Sequence, residues 1–376
     1  MNWQEQDMKK EIRFFKKSEK PLLLDAIEKL WKHNHIYVRN PTVLEHLTLN
    51  TPWRAELAGE ENYSFVGMWV DDELVGLNGV IPLEGNILGE RVRAKTGTIW
   101  MTKKVTGKAV NGLDMGAFVD DIWDTKMLVG MGLSKTAQLL EELRGSYIVD
   151  NMNRWILVID KEMVTEHLLA DKEMSSYFPT ASVLDFQRRY TVDVDMLSKE
   201  SWDKYYFDVI APKTIGICKS YKFLKWRYME SPVLKYHFLS VKDKAENCLG
   251  LAVIRIEPIL DGQFSIGRVL EFLSFDVGAS VELARGIVDF DKNVLLWDFY
   301  CFSDVTAFGL ESIGFRKLPP WNDKIKIPSR FHPIDHEIME LNGFIHLTEE
   351  YRDRINPLNL TQWYVTRGDT DQDRAN

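Results

Sequence analysis

Cysteine is scarce in this chain: three residues, Cys218, Cys248 and Cys301, are scattered along 376. An odd, dispersed set suits neither a disulfide framework nor a zinc site and fits a reducing compartment, so a cytoplasmic location is expected. Long apolar runs are missing too. No stretch approaches the roughly 20 residues that a membrane helix needs, and the opening Met1-Asn-Trp-Gln-Glu-Gln-Asp-Met-Lys-Lys10 has no apolar signal core. Basic runs never exceed two residues, and 47 basic against 56 acidic side chains leave a net charge of −9. Such a field opposes long-range attraction to nucleic acid or anionic lipid, so neither is an expected partner. No Cys-x2-Cys or His-Glu-x2-His spacing is present, and no metal is expected.

What is present is the composition of a folded protein, 45% apolar and 27% charged. Its length exceeds one ordinary core, so two domains are expected. An internal echo supports this. Trp53-Arg54 is followed at ten and twelve residues by Tyr63 and Phe65, and Trp226-Arg227 at the same intervals by Tyr236 and Phe238, an offset of 173. Each pair precedes two apolar segments separated by turn residues, at 64–70 and 74–77 and at 235–241 and 248–253, which read as hairpins. Each half opens with a short strand and a serine-initiated helix (12–16 with Ser18; 191–197 with Ser198 or Ser201). Each closes with a helix running into glycine, at Gly145 and Gly314, because glycine adopts a positive φ without steric cost. Between these points lie strands at 91–102 and 268–275, helices at 112–123 and 280–290, and strands at 126–129 and 294–302. The expected fold class is α/β, with a mixed α+β sheet covered by helices in each half. The halves divide near residue 185, into 1–185 and 186–376.

This order, taken as two copies over nearly the whole chain, resembles the GCN5-related N-acetyltransferase (GNAT) fold. In that family the helix after the fourth strand opens with Arg/Gln-x-x-Gly-x-Gly/Ala, whose backbone N–H groups hold the pyrophosphate of acyl-CoA, as helix N-termini hold anions generally. Asn111-Gly112-Leu113-Asp114-Met115-Gly116 is in register with that motif, with Asn111 in place of the Arg/Gln and Asp114 in place of a glycine. Thr106-Gly107-Lys108 upstream offers an alternative cradle, Lys108 supplying the counter-charge. The second half has only Asp276-Val277-Gly278-Ala279-Ser280 at this point, too short for the loop, so the resemblance assigns acetyl-CoA or another acyl-CoA to the first half. The second half is then acceptor-binding or structural. In 128–143, Ser134 is expected to cap the helix, and Leu139, Leu140 and Leu143 to pack on the sheet. The tyrosine that protonates the leaving thiolate in many GNAT enzymes falls at Glu141 and Leu310, so that acid is missing.

Acyl transfer to an amine needs a base and a stabiliser for the oxyanion. Glu271 and Asp298 interrupt apolar strands, where an unpaired carboxylate has a raised pKa that suits a base and a paired one forms a buried salt bridge. The resemblance places both where the central strands splay at the active site. His332 and His336, in a proline-rich stretch, are further candidate bases. At the C-terminus, Asp369-Thr370-Asp371-Gln372-Asp373-Arg374 spaces its carboxylates like the start of a calcium loop but lacks the glycine and the closing glutamate. A frayed tail is the ordinary expectation. If the strand-like 362–366 pairs with a sheet, the tail is held over a cleft, with Asp369, Asp371 and Asp373 suiting an amine and Arg374 a phosphate. Trp226 reads as a core anchor or as a stacking platform for a base or sugar ring. The tail also resembles those of tandem GNAT-like proteins of surface-polysaccharide synthesis. The resemblance therefore implies an acyl-CoA-dependent N-acyltransferase acting on a small amine acceptor, such as a nucleotide-linked amino sugar. Its rivals are a Fem-type aminoacyltransferase, which the acidic charge argues against, and an inactive GNAT-fold scaffold.

Overall fold

The computed structural model describes residues 9–105, 110–169, 190–318, 341–356 and 359–374. The strands are Lys10–Lys16 (β1), Asn62–Val70 (β2), Glu73–Ile87 (β3), Glu90–Thr102 (β4), Met127–Met131 (β5), Tyr147–Val149 (β6), Asn153–Val158 (β7) and Thr191–Val194 (β8). They continue with Ile215–Ile217 (β9), His237–Lys242 (β10), Cys248–Ile259 (β11), Phe264–Leu273 (β12), Val294–Cys301 (β13), Arg316–Lys317 (β14), Gly343–Leu347 (β15) and Trp363–Tyr364 (β16). Two mixed sheets result. The first runs β1-β2-β3-β4-β5-β15-β6, with β9 on β3 and β16 on β9; the second runs β8-β10-β11-β12-β13-β7-β14. Matching places in the echo take matching roles. β4–β5 and β12–β13 are parallel pairs at corresponding places, and the hairpins β2–β3 and β10–β11 flank them.

The sheets do not follow the division near residue 185. β7, from before it, lies between β13 and β14 of the second sheet, and β15, from after it, lies between β5 and β6 of the first. The earlier half thus lends β7 to the second sheet, and the later half lends β15, β9 and β16 to the first. One contiguous apolar core draws on both sheets, and the echoed tryptophans meet inside it: Trp53 and Trp226 stand edge to face at 6.4 Å.

Local signals explain most elements. The helix Leu113–Trp123 buries Met115, Val119 and Trp123, one stripe at helical spacing. Trp123 Nε1 donates to the Ala94 carbonyl of β4 at 3.0 Å. Ser134 and Ser198 cap their helices, accepting from the N–H groups of Ala137 and Ser201. The stops Gly145 and Gly314 have φ of 77° and 108°, left-handed conformations that a side chain resists. The helix Lys135–Leu143 corrects an expectation: Leu139 and Leu143 face solvent, and Glu141 is the buried residue. Arg144 and Ser146 satisfy that carboxylate at 3.2 and 2.8 Å, so a charged side chain takes the inner face.

Candidate functional site

The parallel strands part early in both sheets. β4 pairs with β5 only at Ala94–Met127 and Lys95–Leu128. Just beyond, Thr98 and Ile99 of β4 stand opposite the lone Gly79, a bulge that bends the strand away. In the second sheet β12 stays with β13 as far as Val269–Phe299, and Leu270 is the extra residue of the matching bulge. Two wedge-shaped clefts follow, one in each half.

The first cleft is headed by the N-terminus of Leu113–Trp123. Trp100 Nε1 ties the Gly112 carbonyl to β4 at 3.1 Å, and Asn111 Oδ1 accepts from the Leu113 N–H at 3.1 Å. Asp114, whose charge opposes an anion, is paired with Lys10 of β1 and receives a hydrogen bond from Asn111 Nδ2. Met115 faces the core. Gly116 has a helical backbone, and a Cβ there would meet nothing nearer than Arg144 Nη1 at 3.8 Å. Packing therefore does not require glycine, which weakens a helix interior by about 1 kcal/mol relative to alanine. The nearest neighbour of that position is thus the end of a flexible, cationic side chain, which suits a bound anion. Lys108 lies outside the described residues, as do His332 and His336.

A chain of polar groups lines the side of this cleft. Lys95 pairs with Asp120, and Arg144 bridges Asp120 (3.0 Å) to Glu141 (3.2 Å). Ser146 Oγ links Glu141 to His346 Nδ1 at 3.1 Å, and burial pushes His346 down to about 4. Tyr37, on the short helix Ile36–Arg39, is fully buried beside Thr98, and its hydroxyl donates to Asp371 Oδ2 at 3.4 Å. Asp371 is in turn paired with Arg374 at 2.6 Å and accepts from Gln372 Nε2 at 3.0 Å. Residues 334 apart in sequence thus meet at the bulge of β4.

The tail that carries Asp371 is not frayed. β16 lies parallel to β9, Thr366 bridges Cys301, and the Phe302 N–H donates to the Val365 carbonyl at 3.0 Å. Residues 363–373 are buried, and they fill the second cleft. There Glu271 accepts from Lys219 Nζ (2.5 Å), Tyr228 (2.6 Å), Tyr364 (2.9 Å) and Thr366 (3.3 Å). Lys219 Nζ also holds Asp369 at 2.5 Å. Burial, reinforced by the charge of Glu271, lifts Asp369 to about 6 in spite of that lysine. Gly368 is required where it sits, since a Cβ would collide with the Tyr228 hydroxyl. Asp373 is bound by Arg255 (2.8 Å), Arg367 (3.2 Å) and the Tyr236 hydroxyl (2.6 Å).

Asp298 lies deeper in the same network, 2.5 Å from Arg268 and 2.7 Å from Arg154. Burial works against its ionisation, but the two guanidiniums prevail and hold it down at about 2. It carries no proton near neutrality and its charge is already committed. Trp226 is a core residue, donating to the His46 carbonyl at 3.1 Å and stacked on the His46 ring at 5.6 Å.

The fold therefore gathers Glu271 and Asp369 into one closed cluster, puts Asp371 and Arg374 beside the first cleft, and leaves Asn111–Gly116 at that cleft's mouth. Sequence reasoning missed Tyr37 and Lys219, which belong to no motif. The echo could have pointed to Arg227: its counterpart Arg54 binds the nearby Leu49 and Gly59 carbonyls, whereas Arg227 binds those of Gly368, Thr370 and Asp373. Among the described residues no cluster of His, Cys, Asp and Glu has the makings of a metal site, and no helix is long and apolar enough to cross a membrane.

No protein-family model and no curated protein matches the chain. Solved structures do. A protein of Enterococcus faecalis V583, described as conserved, of unknown function and a probable N-acyltransferase, aligns over 91% of this chain and 73% of its own (TM-score 0.51, 11% identity). A GCN5-related N-acetyltransferase of Anabaena variabilis ATCC 29413 aligns over 90% and 73% (TM-score 0.54, 9% identity). With its paired mixed sheets and splayed parallel strands, the chain has the fold of the GCN5-related N-acetyltransferases.

Proposed function

We propose that the chain is an acyl-CoA-dependent N-acyltransferase built from two GNAT-like copies, with the acyl donor in the first cleft and an amine acceptor brought to it under the C-terminal tail. The observation that carries this reading is the first turn of Leu113–Trp123, where Gly116 has no packing reason to be glycine and the neighbouring edge of β4 has parted from β5. Helix N–H groups and the positive end of the dipole favour a pyrophosphate there, and Lys10 offsets the charge of Asp114. The N–H and C=O groups of β4 beyond Lys95 suit the amide-bearing arm of CoA, laid against them as an added strand.

In the transfer step the amine nitrogen bonds to the acyl carbonyl carbon and the thioester C–S bond breaks. The amine's proton passes to a carboxylate, which hands it on to the departing sulfur, so that CoA leaves as the thiol and the carboxylate is restored. Asp371, steered by Tyr37 and Arg374, takes the place of proton acceptor, while Glu271, bonded to Tyr364 and Thr366, holds the tail that presents it. An amino-sugar acceptor carrying a phosphate, of the kind used in surface polysaccharides, fits a carboxylate and a guanidinium side by side.

Calorimetric titration with acetyl-CoA tests the reading. Binding is expected in the wild type and its loss in Gly116→Leu, whose melting temperature should not fall because leucine favours the helix by roughly 0.8 kcal/mol over glycine. Equal affinity in the variant would remove the donor from this helix.

A further inference from the structure

The two clefts are equivalent by position in the echo and different in content. Along β12 the space left by β13 is taken up by the segment 363–369. The Phe272 N–H of β12 donates to the Tyr364 hydroxyl at 2.8 Å, and the opposite wall of the cleft pairs with the same segment through Cys301–Thr366 and Phe302–Val365. The fit is built from both sides. Gly368 is the one residue type that passes the Tyr228 hydroxyl, and Arg227 clamps the tail carbonyls of Gly368, Thr370 and Asp373 at 2.7 to 3.0 Å, a task its counterpart Arg54 does not have.

We infer that the C-terminal segment is a permanent strand-like ligand of the second cleft, closing it to an acyl donor, so that the chain takes one donor molecule and takes it in the first cleft. This rests on the donor reading of the first cleft. The occupied cleft also fixes the trajectory by which Asp371 and Arg374 reach Tyr37: six residues separate Thr366, bonded in the second cleft, from Asp373, and Arg227 holds the span between them.

A disulfide tests the occupancy in the full-length chain. Antiparallel neighbours place their Cα atoms about 4.5 to 5.5 Å apart, within disulfide reach, so Thr366→Cys should crosslink to Cys301 under a mild oxidant, read as a tryptic peptide pair by mass spectrometry. Acetyl-CoA is then titrated into the oxidised and reduced forms. Expected are a near-complete crosslink and one acetyl-CoA per chain with the same affinity in both forms. Failure to crosslink, two molecules bound by the wild type, or binding confined to the reduced form would each overturn the inference. A full crosslink with no acetyl-CoA bound in either form, or in the wild type, would instead refute the donor reading and leave the second cleft's occupancy standing.

Discussion

Lys219→Met isolates the electrostatics on which the tail depends. Lys219 Nζ lies 2.5 Å from Glu271 Oε1 and 2.5 Å from Asp369 Oδ1, so the two carboxylate oxygens are within about 5 Å of each other with that ammonium between them, all three groups buried. Without the ammonium, two like charges at about 5 Å in an effective dielectric near 20 repel by about 3 kcal/mol. Removing one partner from a buried ionic group costs about 3–5 kcal/mol in general, and the two figures agree. The pH dependence is the sharper signature. Asp369 is already raised from 3.8 to about 6 with the lysine in place, and without it a shared proton is the remaining way to relieve the pair. A carboxyl whose folded pKa is raised stabilises the fold fully below its unfolded value and loses that contribution as pH rises through the folded one. The variant should therefore fall further behind the wild type at pH 8 than at pH 5. Urea denaturation followed by tryptophan fluorescence at both values measures this. A loss below 1 kcal/mol at pH 8, or an equal loss at the two pH values, would refute the arrangement.

Two other outcomes follow from the same geometry. Asp371→Asn should lower kcat about 100-fold, the ordinary worth of a positioned base, with the KM for acetyl-CoA unchanged; an equal rise in KM would mean that the tail shapes the donor site instead. Burial holds His35 at about 3 and His46 and His346 at about 4, against 6.5 for a free histidine. The unfolded chain takes up these protons first, so stability should decline as pH falls from 6.5 toward 4, although Asp369 works in the opposite sense below 6. His46→Gln should make the decline in the unfolding midpoint shallower, and an unchanged slope would show that His46 titrates normally.

Much of the local structure was legible because its causes are local. Serine caps, apolar stripes and glycine stops lie within a few residues of what they control, and the Trp-Arg echo marked two copies of one element order. The start of the helix Leu113–Trp123 was legible for the same reason, since glycine in a helix start is a signal carried by three or four residues. Leu139 and Leu143 were misplaced because helical spacing shows which residues share a face but not which face is covered. Glu141, satisfied by Arg144 and Ser146, took the inner side.

The sequence by itself determined the doubled α/β order, the ends of its elements and the glycine-marked helix start, all of which depend on backbone preference and on periodicity over short spans. Only the tertiary structure decided which strand lies beside which and what fills each cleft. The alternation within β7 or β15 reports a buried strand and says nothing of its neighbour, so their exchange between the sheets was invisible. The acidic tail showed no apolar face to mark it as core. Its burial depends on Lys219, Arg227, Arg255 and Tyr236, residues far away in sequence whose charges and hydroxyls meet it only once both sheets are formed.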